Sequence, residues 1–362
     1  IWSMKSEIVS HSKDIDFVLA TPPCQGMSSN GAGKLLDEIR KGNRPKMDPR
    51  NRLIIPAVEI ISEIQPRVFM LENVPEMEET IILDRDDKPT RILDFVTSSL
   101  PGYVIQYKVI QCADYGLGQN RKRLITIGLK SAEENLDLFP QETHSKDGKG
   151  STKRHVTLRD VIGSFPKLDA SKGKESNLDF HPYHYVSTLE PRKYDWISKT
   201  PPEQGAFDNQ CHNDECLFQD NPKHSAKKIK GVNKASDSTP IHCLQCGELL
   251  PRPVTGEAGE EVLMKGFTSA YRRMKWDKIA PTLTQNLGYP SSDTKLHPDQ
   301  NRVLSIAEAL CLQSIPNSYL WKCTDKNGDI KDSKFTLIRD SIGESVPPMI
   351  IETLAKHVIS LL

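Results

Sequence analysis

Three short segments carry residue types that could do chemistry together. Thr21-Pro22-Pro23-Cys24-Gln25-Gly26 presents a soft nucleophile, Val68-Phe69-Met70-Leu71-Glu72-Asn73 leads into a carboxylate, and Gln119-Asn120-Arg121-Lys122-Arg123 spaces two guanidinium groups one residue apart. A thiolate adds to electron-poor carbon, a carboxyl group moves a proton, and paired arginines hold carbonyl or phosphate oxygens with forked hydrogen bonds. Each segment also has an ordinary reading. Cys24 alone is equally an inert thiol in a rigid turn, Glu72 a solvated loop residue or helix cap, and the two arginines a basic strand edge.

The elements around these residues bear on the choice. An apolar run at 17–20 leads into Cys24, a second at 68–71 leads into Glu72, and helical periodicity occupies 53–64 between them. That is α/β grammar, and it puts Cys24 and Glu72 at the carboxyl ends of two sheet strands, where open α/β sheets bind ligands. Residues 102–112 and 124–129 read as two more strands that extend the sheet antiparallel. Arg121 and Arg123 enter the second of these with the same facing. From about residue 145 to 266 the texture changes to Lys, Ser, Gly, Asn and Pro with little periodicity, and residues 223–234 read as a lysine-rich, mobile, solvated loop. Helical pattern returns at 305–312 and at 349–362, where Ile350, Ile351, Leu354, Val358 and Leu361 fall at helical spacing. The expected organisation is a first domain over 1–150, an irregular domain over 151–268, and a return to the first over 269–362.

With 362 residues, 37% of them hydrophobic, the chain can bury a substantial core. Lys+Arg and Asp+Glu balance at 48 each, so any nucleic-acid surface must be local. The sequence carries no apolar run of membrane-spanning length and no secretory signal pattern, and a soluble intracellular protein is expected. Its 8 cysteines therefore favour catalytic or metal-binding thiols over a disulfide framework. Cys112, Cys311 and Cys323 read as plain buried thiols. Cys211-x4-Cys216 and Cys243-x2-Cys246-Gly247 form two pairs with the pattern of a structural Zn2+ site, with His212 and His242 as substitute ligands. The other reading is unliganded cysteines in a mobile loop. A domain this polar would gain from such a staple.

Taken in order, the three segments resemble the cytosine-C5 DNA methyltransferase family of bacterial restriction-modification type, whose signature is Pro-Cys-Gln, Glu-Asn-Val and Gln-x-Arg-x-Arg. Asp48-Pro49-Arg50-Asn51-Arg52-Leu53, Ala280-Pro281-Thr282-Leu283-Thr284, Leu312-Gln313-Ser314-Ile315-Pro316 and Ile342-Gly343-Glu344-Ser345-Val346-Pro347-Pro348 are also similar to family segments, as is the stretch 302–309. The resemblance covers nearly the whole chain apart from about 150–266. It implies an α/β, Rossmann-like S-adenosylmethionine-dependent domain built on a mixed sheet, with a smaller irregular target-recognition domain. It further implies that Cys24 adds to C6 of cytosine, Glu72 holds the N3 and amino edge, and Arg123 with Arg121 holds the O2 side. Pro22, Pro23, Gln25, Glu344 and Ser345 would line the S-adenosyl-L-methionine site. The partner would be double-stranded DNA with its target base extruded. The glycine-rich, basic loop 28–50 would close over it, and Tyr271-Arg272-Arg273-Met274-Lys275-Trp276 would lie near the DNA cleft. The family setting is the bacterial cytoplasm, at the nucleoid.

Two departures stand out. Family members open with a glycine-rich cofactor motif and an acidic ribose ligand that this sequence lacks, and Ile1-Trp2-Ser3 resembles the segment that follows them. A missing N-terminal segment or a second chain supplying it is expected. Glu344 stands where the family carries asparagine. The same chemistry on tRNA, or a noncatalytic DNA-binding homologue, are the alternatives.

Overall fold

The computed structural model describes residues 1–12, 14–23, 48–133, 135–224, 226–229, 232–235, 239–264 and 269–362. Cys24, Gln25 and most of the expected clamp loop, residues 24–47, lie outside the described residues. By packing, the chain divides into two units, one made of 1–115, 121–145 and 349–362, the other of 116–120 and 146–348.

The first unit contains α1 (Lys5–His11), β1 (Phe17–Ala20), α2 (Ile54–Ile64), β2 (Val68–Asn73), α3 (Ile92–Ser99), β3 (Tyr103–Gln111) and β4 (Lys122–Lys130). The four strands make one mixed sheet in the order β1-β2-β4-β3. β1 and β2 run parallel with Ala20 opposite Leu71, joined by a crossover that includes α2. β4 runs antiparallel to β2, with Glu72 opposite Ile125 and Asn73 opposite Leu124. Every residue of β2 is buried, which is why its sequence is a continuous apolar run rather than an alternating one.

Helix α2 buries Ile54, Ile55, Val58 and Ile61 against Phe69 and Leu71 of β2. It stops because Gln65 turns left-handed at φ 55° and Pro66 cannot continue the helix. Across the β2–β4 ladder, Gly128 faces Phe69 so closely that a Cβ there would lie 2.0 Å from the ring. The ring of Phe69 also meets Tyr103 edge-on, centroid to centroid at 5.2 Å.

The second unit is built from short elements: α4 (Leu158–Ile162), α5 (Pro191–Ser198), α6 (Ile306–Leu312) and α7 (Phe335–Glu344). Leu158, Leu283, Leu304, Ile306, Leu310, Ile338 and Ile342 anchor its largest core. A capping box of Ser305 and Glu308 starts α6. The same Glu308 carboxylate takes both terminal nitrogens of Arg302, at 2.7 and 2.8 Å, with both residues fully buried. A second core gathers Trp196, Ile197, Phe207, Tyr271 and Leu296. The last helix, α8 (Pro348–Ile359), belongs from Met349 onward with the first unit and buries Ile350, Leu354 and Val358. Among the described residues, no helix is long and apolar enough to cross a membrane.

Several sequence expectations change here. The lysine-rich stretch contains an antiparallel hairpin, Ala226–Ile229 with Val232–Ala235, in which Ile229 pairs with Val232. β-branched residues at these paired positions favour the strand that a loop reading overlooks. In the basic and aromatic segment 271–276, expected near the DNA cleft, Tyr271, Arg273 and Met274 are buried and Lys275 is exposed. Arg273 donates to the carbonyls of Ile197, Thr200, His297 and Gln300 at 2.5–3.0 Å, and to Asn301 Oδ1 at 2.9 Å. Irregular backbone leaves carbonyls without ladder partners, and one guanidinium satisfies four of them. Of the three plain thiols, Cys112 is buried, whereas Cys311 and Cys323 are half-buried.

Candidate active site and metal centre

The pairing register brings the carboxyl ends of β1 and β2 and the amino end of β4 to one rim of the sheet. Glu72 sits there, buried, with Arg123 Nε donating to its Oε1 at 2.7 Å. Arg123 also donates from Nη1 to the carbonyl of Lys122 at 2.7 Å. Arg121 is completely buried, and its main chain is fixed twice. Its amide donates to Gln111 Oε1 at 3.0 Å, and its carbonyl accepts from the Cys112 amide at 2.8 Å.

Burial raises the Glu72 carboxyl above its ordinary range, and the two neighbouring guanidiniums, Arg123 before Arg121, pull it only partly back. The neighbouring Cys112 thiol is pushed up by burial to about 11, so it stays protonated and unreactive. A carboxyl that leans toward its acid form beside a fixed guanidinium is equipped to donate a hydrogen bond to a ring nitrogen while the arginine faces a carbonyl.

One residue of this rim was not singled out from sequence. Asn73 donates from Nδ2 to the carbonyl of Pro22 at 2.9 Å and accepts from the Val74 amide at 2.9 Å through Oδ1. It therefore holds the backbone just ahead of Cys24. Pro22 is half-buried and Pro23 exposed. Asn73 stands inside the quoted Glu-Asn-Val motif, which was the available signal.

Glu344 and Ser345 occupy the end of α7 in the second unit, Glu344 exposed and Ser345 half-buried. Gln285 Nε2 donates to Glu344 Oε1 at 2.5 Å. The preceding Gly343 packs so tightly that a Cβ would lie 2.2 Å from the Gln285 nitrogen, so the carboxylate stands on a closely held turn. A placed, exposed carboxylate is suited to accept hydrogen bonds from an ammonium or hydroxyl group.

The cysteine pairs converge. The Sγ atoms of Cys211, Cys216, Cys243 and Cys246 all lie within 4.8 Å of one another, with Cys211 to Cys246 at 3.7 Å and Cys216 to Cys243 at 3.9 Å. Four thiolates around a tetrahedral zinc at about 2.3 Å would stand about 3.8 Å apart. The four-cysteine cluster is thus compatible with zinc, and His212 and His242 are not part of it. Gly247, left-handed at φ 77°, donates its amide to Cys243 O at 2.9 Å and closes the second pair into a tight knuckle. Burial alone would raise the Cys243 thiol. Backbone amides of Cys246 and Gln245 and the Asn221 side chain, 3.6 Å from Sγ, outweigh that and bring it to about 6.

The family model described as C-5 cytosine-specific DNA methylase matches residues 4–360. The chain is similar to the type II methyltransferase M1.HgaI of Avibacterium volantium, 28% identical over 361 residues, which covers 97% of this chain and 80% of the relative. It is also similar to the type II methyltransferase M1.HphI of Haemophilus parahaemolyticus, 26% identical over 353 residues, covering 98% of this chain and 70% of that one. Its fold matches the crystal structure of a prophage-encoded DNA modification methyltransferase (E. coli) with a TM-score of 0.52 and 18% identity, over 99% of this chain and 82% of the other.

Proposed function

This chain belongs to the C-5 cytosine-specific DNA methylase family and methylates cytosine C5 in DNA, and from that premise we propose how its own residues carry the reaction. Cys24, as thiolate, adds to C6 of a cytosine extruded from a specific double-stranded site. The electron pair of the C5–C6 bond moves to C5, which becomes nucleophilic. Glu72 donates to N3 and faces the exocyclic amine, and Arg123, backed by Arg121, holds O2, so that charge arriving on the ring meets donors already in place. S-adenosylmethionine, the family's methyl donor, supplies an electrophilic methyl group on a sulfonium. The C5 electron pair takes that methyl group as the S–CH3 bond breaks to leave a neutral thioether; water then takes the C5 proton, and the freed pair re-forms the C5–C6 double bond and expels the Cys24 thiolate, leaving 5-methylcytosine. Pro22, Pro23 and Gln25 are the first unit's candidates for holding the donor, and Glu344 and Ser345 are the second unit's candidates, the carboxylate being suited to accept hydrogen bonds from its polar groups.

The observation that carries this reading is the Glu72–Arg123 pair at 2.7 Å on the strand rim where Asn73 grips the backbone leading to Cys24. Residues 151–268 serve as the target-recognition domain, stapled by Zn2+ at Cys211, Cys216, Cys243 and Cys246. The test is covalent trapping with S-adenosylmethionine and 5-fluorocytosine in duplex DNA, with 5-fluorocytosine tRNA in parallel. Fluorine cannot leave as a proton, so a denaturation-resistant adduct should form on DNA and be absent in Cys24→Ser. An adduct on tRNA alone would overturn the DNA assignment, and an adduct retained in Cys24→Ser would overturn the nucleophile.

A further inference from the structure

Two buried glutamines in the second unit are joined amide to amide. Gln119 lies in the arginine motif two residues before Arg121, and it is completely buried. Its Oε1 accepts from the Leu283 amide at 3.0 Å, and its Nε2 donates to Leu312 O at 3.2 Å and to Gln313 Oε1 at 2.8 Å. Gln313 is also completely buried, and its Nε2 donates to both the carbonyl (2.6 Å) and the hydroxyl (2.9 Å) of Ser345. The Ser345 hydroxyl passes its own proton to Ile342 O at 2.9 Å.

Backbone partners fix the direction of this chain. Oε1 of Gln119 must face an N–H and its Nε2 a carbonyl, so neither amide can be turned without setting donor against donor. The main chain reinforces the same join, with Asn120 N donating to Ala280 O at 2.7 Å and Ala280 N donating to Gly118 O at 3.0 Å. Every donor on the two side-chain amides is used. No charge is involved, so the network transmits position rather than proton or field.

We propose that Gln119 and Gln313 are positioning residues that couple the segment delivering Arg121 and Arg123 to the turn carrying Glu344 and Ser345. A residue of the base-holding motif thereby sets the affinity for the methyl donor. This rests on the reading above that the Glu344–Ser345 turn faces S-adenosylmethionine.

The experiment measures KM for S-adenosylmethionine and kcat separately, in the full chain with duplex DNA, for Gln119→Met, Gln313→Met, the double variant and Glu344→Ala. Each glutamine variant should raise the donor KM about fivefold, the loss of one neutral hydrogen-bond link. The double variant should be no worse than the poorer single one. A donor KM unchanged in Gln119→Met, while Gln313→Met and Glu344→Ala raise it, overturns the coupling and leaves the cofactor reading standing. A donor KM unchanged in Glu344→Ala and Gln313→Met alike removes the cofactor reading first. Should a variant not fold, amide exchange in the wild-type chain decides the matter. Adding S-adenosylmethionine should slow exchange at Leu283, whose amide ends on Gln119, and unaltered exchange there overturns the proposal.

Discussion

Asn73 reaches back 51 residues in sequence to accept the task of holding Pro22, its Nδ2 donating to the proline carbonyl at 2.9 Å. One amide thus ties the Glu72 strand to the segment that contains Pro22. Asn73→Ala should lower kcat by about tenfold or more, since small misplacements of reacting groups are costly to rate, with stability reduced by about 1 kcal/mol. Single-turnover methylation beside thermal unfolding checks this. A stability loss with an intact rate would separate the clamp from the chemistry.

Glu72 titrates above its ordinary value of 4.5 because burial outweighs the two guanidiniums. The folded chain therefore favours the acid form, whose stabilisation is complete below the ordinary value and is lost as pH rises through the raised one. Donation to N3 falls over the same range. The rate should show an alkaline limb that vanishes in Glu72→Gln, which keeps a donor but cannot titrate. In Arg123→Met the limb should move to higher pH, because a cation that opposes the shift is gone. A profile of Glu72→Gln with the wild-type limb would assign that limb elsewhere.

The cysteine cluster should carry one zinc per chain. Cys243→Ser or Cys211→Ser should empty it and lower the melting temperature by on the order of 10 °C, while Cys311→Ser and Cys323→Ser leave the metal content unchanged. Atomic emission on protein purified without chelator reads this directly. Zinc near zero in the unaltered chain would leave four reduced thiols to explain.

Three histidines of the second unit, His184, His224 and His297, are held below their ordinary value of 6.5, in each case chiefly by burial. His297 Nδ1 stands 3.2 Å from Asp299 Oδ1 as well as 3.2 Å from the Gln300 amide, and burial outweighs the carboxylate. The unfolded chain binds these protons more readily, so stability should fall as pH drops below about 6.5. Denaturant midpoints between pH 5 and 7.5 test it, and a flat His297→Gln difference across that range would count against His297.

Arg273 should behave as a core residue. Arg273→Met removes both the charge and the planar fork that serves four carbonyls and should destabilise the fold by about 3 kcal/mol or more, yet leave the salt dependence of DNA affinity unaltered. A shallower salt slope with unchanged stability would put Arg273 itself on the DNA.

How far the sequence revealed this molecule depended on how local each signal was. The strand at Val68–Asn73 was legible because a strand buried on both faces needs an unbroken apolar run, and its chemistry sits at the end of that run. The cysteine cluster was legible from two spacings that a tight knuckle imposes. α3 was missed because Ile-Leu-Asp-Phe-Val-Thr-Ser-Ser is rich in residues that favour strands and turns, and only the packing of Ile92, Leu93 and Val96 makes it helical. α7 was missed for a related reason, since its buried set includes Arg339 and Gly343, neither of which marks an apolar stripe. The carbonyl-gathering role of Arg273 was not legible, because the four carbonyls it serves come from segments remote in sequence. The partners of Asn73 and Gln119 are remote in sequence, and no local pattern announces them.

The sulfurs of Cys216 and Cys243, 27 positions apart in sequence, come within 3.9 Å. Whatever is threaded between them starts and ends at nearly one point, with Pro222, His224 and Pro240 along it held by Arg252 and Phe207. Closing a longer loop there adds only about 0.6 kcal/mol per doubling. Foreign hairpins or reporter peptides are therefore best exchanged inward of His224 and Thr239, whose side chains bond at 2.9 Å, because Asn221, Pro222 and Pro240 serve Cys243 and Arg252.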